Sequence, residues 1–303
     1  MENALTILGS SSALPTSQRF STAQVLQMLG RFFLIDCGEG TQIQLRRCSI
    51  PFTRIQAIFI SHLHGDHYLG IFGVLSSFNL LGRRTPLTIY APKGFENIVN
   101  FQLKYLVTEL SFKVTFIELT QNGMSCIYSD KKIDVYSISL DHRLPTWGFY
   151  FKEKAKDYKI SKKIIEKYSL SIAQIVLIKK GEDLVLANGE VIPNSLLTIF
   201  PESPKSYAYI SDTLFKPQIA EYIKDVTLLY HESTFSHEML KRAKETFHST
   251  AKQAAEFANF ANAEKLLLGH FSARYKTTVD LEKEAKEIFS NTVAVNDLDI
   301  YSF

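Results

Sequence analysis

Residues 61–67 read Ser-His-Leu-His-Gly-Asp-His, three histidines and an aspartate within six positions. Imidazole and carboxylate go together as first-row metal ligands, and neutral imidazole suits zinc. The motif follows the apolar β-type run Ala57-Ile58-Phe59-Ile60 and precedes a helical pattern at residues 69–75. Neighbouring side chains in so tight a turn point different ways, so four ligands at a strand-to-loop junction can surround two ions.

The remaining histidines are His142, His231, His237, His248 and His270. His142 follows the strand-like stretch 133–140, Asp212 follows 207–211, and His270 follows 265–269. Each ends a short apolar run, where a strand delivers a side chain to a shared edge and where α/β folds build their sites. His248 precedes Thr250-Ala251-Lys252-Gln253, a capping box that opens a helix. A positive helix end attracts an anion such as phosphate. His248 is therefore a loop residue or a group near substrate. His237 lies on a polar helical stretch and reads as a surface residue.

Alternating strands and helices must carry these residues. Strands are expected at 5–8, 32–36, 55–60, 87–90, 113–118, 131–140, 206–210, 226–230 and 265–268. Helices are expected from 68 to about 81 and at 95–109, 216–224, 235–245, 251–261 and 279–289. Residues 150–195 leave this pattern, with a basic helical centre at 160–168 and a hairpin at 183–191 turning on Asn188-Gly189. No repeat or linker divides the chain, so we expect one domain over 1–303 with an excursion at 150–195.

The composition, 46% hydrophobic and 21% charged, is that of a globular protein. No apolar run approaches the ~18 residues of a membrane span. Met1 to Gly9 reads as a first strand rather than a signal peptide. Three cysteines, Cys37, Cys48 and Cys126, without Cys-x-x-Cys spacing fit reduced thiols in a cytoplasmic protein. Net charge is only +3, yet residues 152–180 hold nine lysines against three acids, leaving the rest of the chain negative. Such a cluster, including Lys159, Lys162, Lys163 and Lys167, is either a phosphate-contacting surface or a solvated helix face.

Further stretches set the context of these residues. They are Leu8-Gly9-Ser10 with Pro15-Thr16 and Arg19, Phe33 to Gln42 (containing Asp-Cys-Gly-Glu-Gly-Thr-Gln), Pro92-Lys93-Gly94, and Ser211-Asp212-Thr213. To these are added His231-Glu232-Ser233-Thr234-Phe235, His248-Ser249-Thr250, and Gly269-His270-Phe271-Ser272-Ala273-Arg274-Tyr275. With them the chain resembles the metallo-β-lactamase superfamily, and within it the ribonuclease Z (tRNase Z) endonucleases that process tRNA 3′ ends. The resemblance implies an α/β fold, the αββα sandwich of two packed mixed β-sheets flanked by helices. It implies two zinc ions: one held by His62, His64 and His142, the other by Asp66, His67 and His270, with Asp212 bridging. It also implies precursor tRNA as partner and a homodimer whose arm serves the other subunit's site. One departure stands out. Relatives of this size carry a Gly/Pro-rich turn in the arm, and residues 169–175 lack it while the lysines remain.

The residues suggest metal-assisted hydrolysis. Two zinc ions about 3.5–4 Å apart lower the pKa of a clamped water to about 7, and the resulting hydroxide attacks phosphorus in line. Asp66 serves as ligand and general base, and His248 as the acid for the ribose 3′-oxygen, oriented by Glu232. Glu232 read otherwise is a buried carboxylate holding a loop, and His231 is read as structural. The resemblance implies the product, a tRNA with a 3′-hydroxyl, its 3′ trailer removed. The alternative is a di-zinc phosphodiesterase acting on a smaller substrate. A non-catalytic relative should have lost ligands, and all seven are present.

Overall fold

A computed structural model describes residues 3–106 and 109–303. Met1 and Glu2 of the expected first strand, and positions 107 and 108 of the expected helix 95–109, lie outside the described residues. The chain divides into two compact units: Met1–Asp130, Asp134–Phe151 and Ser206–Phe303 form one, Lys131–Ile133 with Lys152–Lys205 the other.

The larger unit is built on two seven-stranded sheets. The first runs in the order Ile300–Ser302, Ala4–Gly9, Ala23–Met28, Arg31–Ile35, Ile55–Phe59, Leu87–Pro92, Val114–Leu119. Its first three joins are antiparallel and the last three parallel. The second runs Thr292–Ala294, Lys265–Gly269, Leu228–Glu232, Ser206–Ile210, Trp147–Glu153, Ile133–Ser139, Met124–Ser129, with its first three joins parallel.

Strand alternation sorts the apolar side chains into two layers. Phe33 and Phe59 face the second sheet, their rings 5.4 Å from Phe151 and 5.3 Å from Phe149. Their neighbours Leu34, Ile58 and Ile60 pack on the opposite face with Val74, Phe78 and Val99 of the covering helices. Those helices are Ile71–Leu80 and Phe95–Leu106; Thr41–Arg47 joins them through Leu45. On the second sheet, Ala251–Phe260 buries Ala254, Ala255, Phe257 and Ala258, and Val279–Lys286 packs beside it. Each buried Phe contributes roughly 1.5–3 kcal/mol relative to exposure. The expected αββα sandwich is the architecture found.

Two expected helices differ. Residues 216–224 form a 3-10 helix, Pro217–Ile223, and 235–245 form a 3-10 turn, His237–Met239, followed by a helix, Leu240–Thr246. Among the described residues no helix is long and apolar enough to cross a membrane.

The smaller unit gathers Leu170, Ile178, Leu184 and Leu197 into an apolar cluster. Helices Lys162–Lys167 and Ile172–Lys179 start at Ser161 and Ser171, whose hydroxyls accept from Ile164 N and Gln174 N. The hairpin expected at 183–191 pairs Leu184–Val185 with Val191–Ile192. Lys159, Lys162, Lys163 and Lys167 are exposed on this unit.

Candidate metal centre

The strand Ile55–Phe59 ends against its neighbour through Ile60 N donating to Tyr90 O, and the chain then turns into residues 61–67. A single helical turn, Gly65–Tyr68, fixes Asp66 and His67. Three more site residues sit just past strand ends with left-handed backbones: Asp36 (φ 52°), Asp212 (φ 46°) and His270 (φ 57°). Non-glycine residues adopt this region rarely, Asp and His more readily than most. Its use at three strand ends around one site turns each side chain inward, strain of the kind that collects at functional sites.

The seven candidate ligands converge in two groups. His62 Nε2 lies 2.9 Å from His64 Nδ1, and His142 Nε2 lies 3.3 Å from that same atom. In the second group, His67 Nε2 is 3.3 Å from His270 Nε2, and Asp66 Oδ2 is 3.3 Å from His67 Nε2 and 3.6 Å from His270 Nε2. Asp212 spans both. Its Oδ1 is 3.2 Å from His270 and 3.4 Å from His67, while Oδ2 is 3.6 Å from His62 and 3.9 Å from His142.

The donor set fits a metal. Ligands about 2.0–2.1 Å from a tetrahedral zinc stand about 3.3 Å from one another, the spacing seen within each group. The outward nitrogens are held as metal-binding histidines require. His62 Nδ1 meets Ser61 Oγ at 3.0 Å, His67 Nδ1 meets Asp36 Oδ2 at 2.7 Å, His142 Nδ1 meets Phe247 O at 2.9 Å, and His270 Nδ1 meets Thr234 Oγ1 at 2.9 Å. Burial, with neighbouring imidazoles, holds His62 well below its ordinary pKa and keeps it neutral; burial lowers His64 and His142 as well. Burial alone would raise Asp66 and Asp212, but the surrounding histidines keep both ionised. Burial pushes His67 down, but Asp212, Asp66 and Asp36 lift it well above its ordinary pKa, and a buried carboxylate cluster of this kind calls for positive charge.

His248 and Glu232, sixteen residues apart, also meet. His248 Nδ1 donates to Glu232 Oε1 at 3.0 Å, and His248 lines the cleft over the metal groups. Burial pushes the His248 pKa down, but Glu232, followed by Asp212, outweighs it and lifts the imidazole to about 9. Glu232 also accepts from Thr213 N at 2.9 Å and Thr234 Oγ1 at 2.6 Å, so it holds the loop as well. His231 is buried against Phe257, its Nδ1 donating to Glu232 O. His237 is half-buried rather than on the surface, its ring 3.5 Å from Thr250 Oγ1. The four lysines lie on the other unit.

Sequence reasoning left supporting residues without a role. Asp36 accepts from Ser61 N, Ser61 Oγ, His67 and Tyr209 OH, all at 2.6–2.8 Å. Thr234 Oγ1 bridges Glu232 and His270. Ala13 N donates to Asp66 Oδ2 at 2.8 Å. Arg143 lines the cleft, whose volume is about 450 Å³. Asp36 and Thr234 stand inside motifs already noted; hidden were their partners distant in sequence, such as Tyr209 for Asp36 and His270 for Thr234.

A ribonuclease Z of Bacteroides fragilis is 45% identical over 293 residues, covering 97% of this chain and 96% of that relative. The chain belongs to the ribonuclease Z family. The ribonuclease Z of Cytophaga hutchinsonii is likewise 45% identical, over 96% of this chain and 93% of its own. The crystal structure of the short form of human tRNase Z matches with a TM-score of 0.72 at 25% identity, covering 99% of this chain and 98% of that one. A family model described as anti-Pycsar protein Apyc1 matches residues 3–143, the part holding the first metal motif and His142.

Proposed function

We propose that this chain is a tRNA 3′-processing endoribonuclease that cuts the trailer from tRNA precursors and leaves a 3′-hydroxyl. The observation that carries the reading is the near full-length identity to ribonuclease Z relatives in a chain whose seven candidate ligands converge around Asp212.

His62, His64, His142 and Asp212 would hold one zinc ion, and Asp66, His67, His270 and Asp212 a second. Such a pair supplies a nucleophilic water at neutral pH and offsets charge on the phosphoryl oxygens. The chain's own residues handle the protons. Asp66 Oδ2, held by the Ala13 amide, accepts the proton of the attacking water. His248, its Nδ1 tied to Glu232, presents Nε2 to the cleft and protonates the departing ribose 3′-oxygen. Arg143 at the cleft contacts a flanking phosphate.

The unit around Lys152–Lys205 serves as the arm of a single-domain enzyme. Its exposed Lys159, Lys162, Lys163 and Lys167 lie along the phosphate backbone of folded RNA, which is recognised largely by shape. The reading includes a cytoplasmic homodimer. The lack of a Gly-Pro element at 169–175 favours a second reading, a phosphodiesterase of smaller substrates.

Incubation with end-labelled precursor tRNA beside bis(p-nitrophenyl) phosphate separates the two. A single cut after the discriminator nucleotide, leaving a 3′-hydroxyl, is expected. Turnover of the small diester with intact precursor would overturn the RNA reading.

A further inference from the structure

Two cavities leave the metal cleft at different rims. One, about 450 Å³, shares Pro15, Glu39 and Leu69 with the cleft and runs past Phe20, Gln42 and Gly73. The other, about 420 Å³, shares His248 and is lined by Leu214, Phe215 and Gln253. Both volumes fall in the range of small-molecule sites.

The first cavity has the chemistry of a nucleobase site. Glycines let its lining side chains pack close: a Cβ at Gly73 would come within 2.3 Å of Gln42 Oε1, and one at Gly40 within 2.4 Å of Phe20 Cδ1. Phe20 lines the cavity with Gly40, Gly70 and Gly73, and a flat base can lie against an aromatic ring. The Gln42 carboxamide accepts from Ser77 Oγ at 3.2 Å through Oε1, which orients its Nε2 donor for a base edge. The Arg47 guanidinium carbon stands 5.6 Å from the Phe20 ring centroid and supplies positive charge for a neighbouring phosphate. Phe20 is held from behind, its backbone N–H donating to Asp297 Oδ2 at 2.6 Å.

The placement of the acid gives the site a direction. Resting on the endoribonuclease reading above, His248 protonates the 3′-oxygen of the tRNA body, so that nucleoside lies at the His248 rim. The nucleoside on the other side of the scissile phosphate then leaves across the rim of Pro15, Glu39 and Leu69. We propose that the Phe20 cavity is a base subsite for the first nucleotide of the 3′ trailer, with Phe20 as its stacking platform and Gln42 facing the base edge.

A two-by-two cycle tests this. Wild type and Phe20→Ala are assayed on a precursor with an intact trailer and on one with an abasic first trailer nucleotide. The abasic change raises KM of wild type on the order of tenfold, and Phe20→Ala does the same on the intact precursor. On the abasic precursor Phe20→Ala loses little more, and Phe20→Tyr restores the intact-trailer KM. Metal content and thermal unfolding confirm that the variant folds; if it does not, Phe20→Leu, which keeps bulk without the ring, takes its place in the cycle. Multiplying defects, or an unchanged KM for Phe20→Ala on the intact trailer, would overturn the subsite while leaving the nuclease reading intact. Failure of wild type to cut either precursor would overturn both.

Discussion

Glu232 Oε1 accepts a hydrogen bond from His248 Nδ1 at 3.0 Å, with the carboxylate fully buried and the imidazole at the cleft. The pairing fixes the ring so that Nε2 is available to substrate, and it favours the imidazolium. Activity through a protonated His248 is lost as pH rises through its pKa. Removing the charge of Glu232 lowers that pKa, so the basic limb of the pH–rate profile moves to lower pH in Glu232→Gln. We expect kcat on precursor tRNA to fall about 10²-fold at neutral pH. Comparing the pH profiles of kcat for both proteins checks this; an unmoved basic limb would leave Glu232 with a loop-holding role alone.

Asp36 stands behind His67 as a four-way acceptor. Asp36→Asn places an amide N–H where donors already point. It both loosens the His67 ring and removes the charge that makes its inward nitrogen a stronger ligand. Zinc affinity measured by competition with a chromophoric chelator should weaken about 10–100-fold. Unchanged affinity would show that Asp36 supports the fold only.

Gly269 immediately precedes His270 in the buried strand Lys265–Gly269. A Cβ there would meet the Tyr230 hydroxyl at 2.2 Å, inside a core that cannot yield. Gly269→Ala should cost about 1–3 kcal/mol of stability and displace His270. The expected readout in a thermal melt of the metal-loaded protein is a lower Tm with reduced bound metal.

The four lysines Lys159, Lys162, Lys163 and Lys167 sit exposed on one small unit, where Lys162 makes a surface ion pair with Glu166. Replacing all four by Ala should raise KM for precursor tRNA and flatten its dependence on salt, with bis(p-nitrophenyl) phosphate turnover unaltered. Equal loss on both substrates would remove the arm from the account.

Much of this was legible in the sequence for a physical reason. Candidate ligands such as His62, His142 and His270 each follow a short apolar run, so they could be located before any distance was known. Their supports could not. The hydroxyl of Tyr209 reaches Asp36 across 173 positions, and Ser61 reaches it across 25. Strand Ala23–Met28 escaped notice because both faces are buried, even at Gln24, leaving no alternation to read. Buried Ile219, Ala220 and Ile223 fit either an α-helix or a 3-10 helix over so short a stretch, so their spacing did not tell the two apart at Pro217–Ile223. The core of the smaller unit draws Leu170, Ile178, Leu184 and Leu197 from different short elements, so no one run announced it.

The central claim is that two groups of ligands sharing Asp212 hold the cations that make this chain a nuclease. Its most direct test is to titrate zinc into chelator-stripped protein, following bound metal by elemental analysis and precursor tRNA cleavage together, for wild type and Asp212→Ala. Binding that saturates at two per chain as cleavage reaches its plateau is the predicted result, with Asp212→Ala binding less and cleaving nothing. Full cleavage by stripped protein, or by Asp212→Ala, would contradict it.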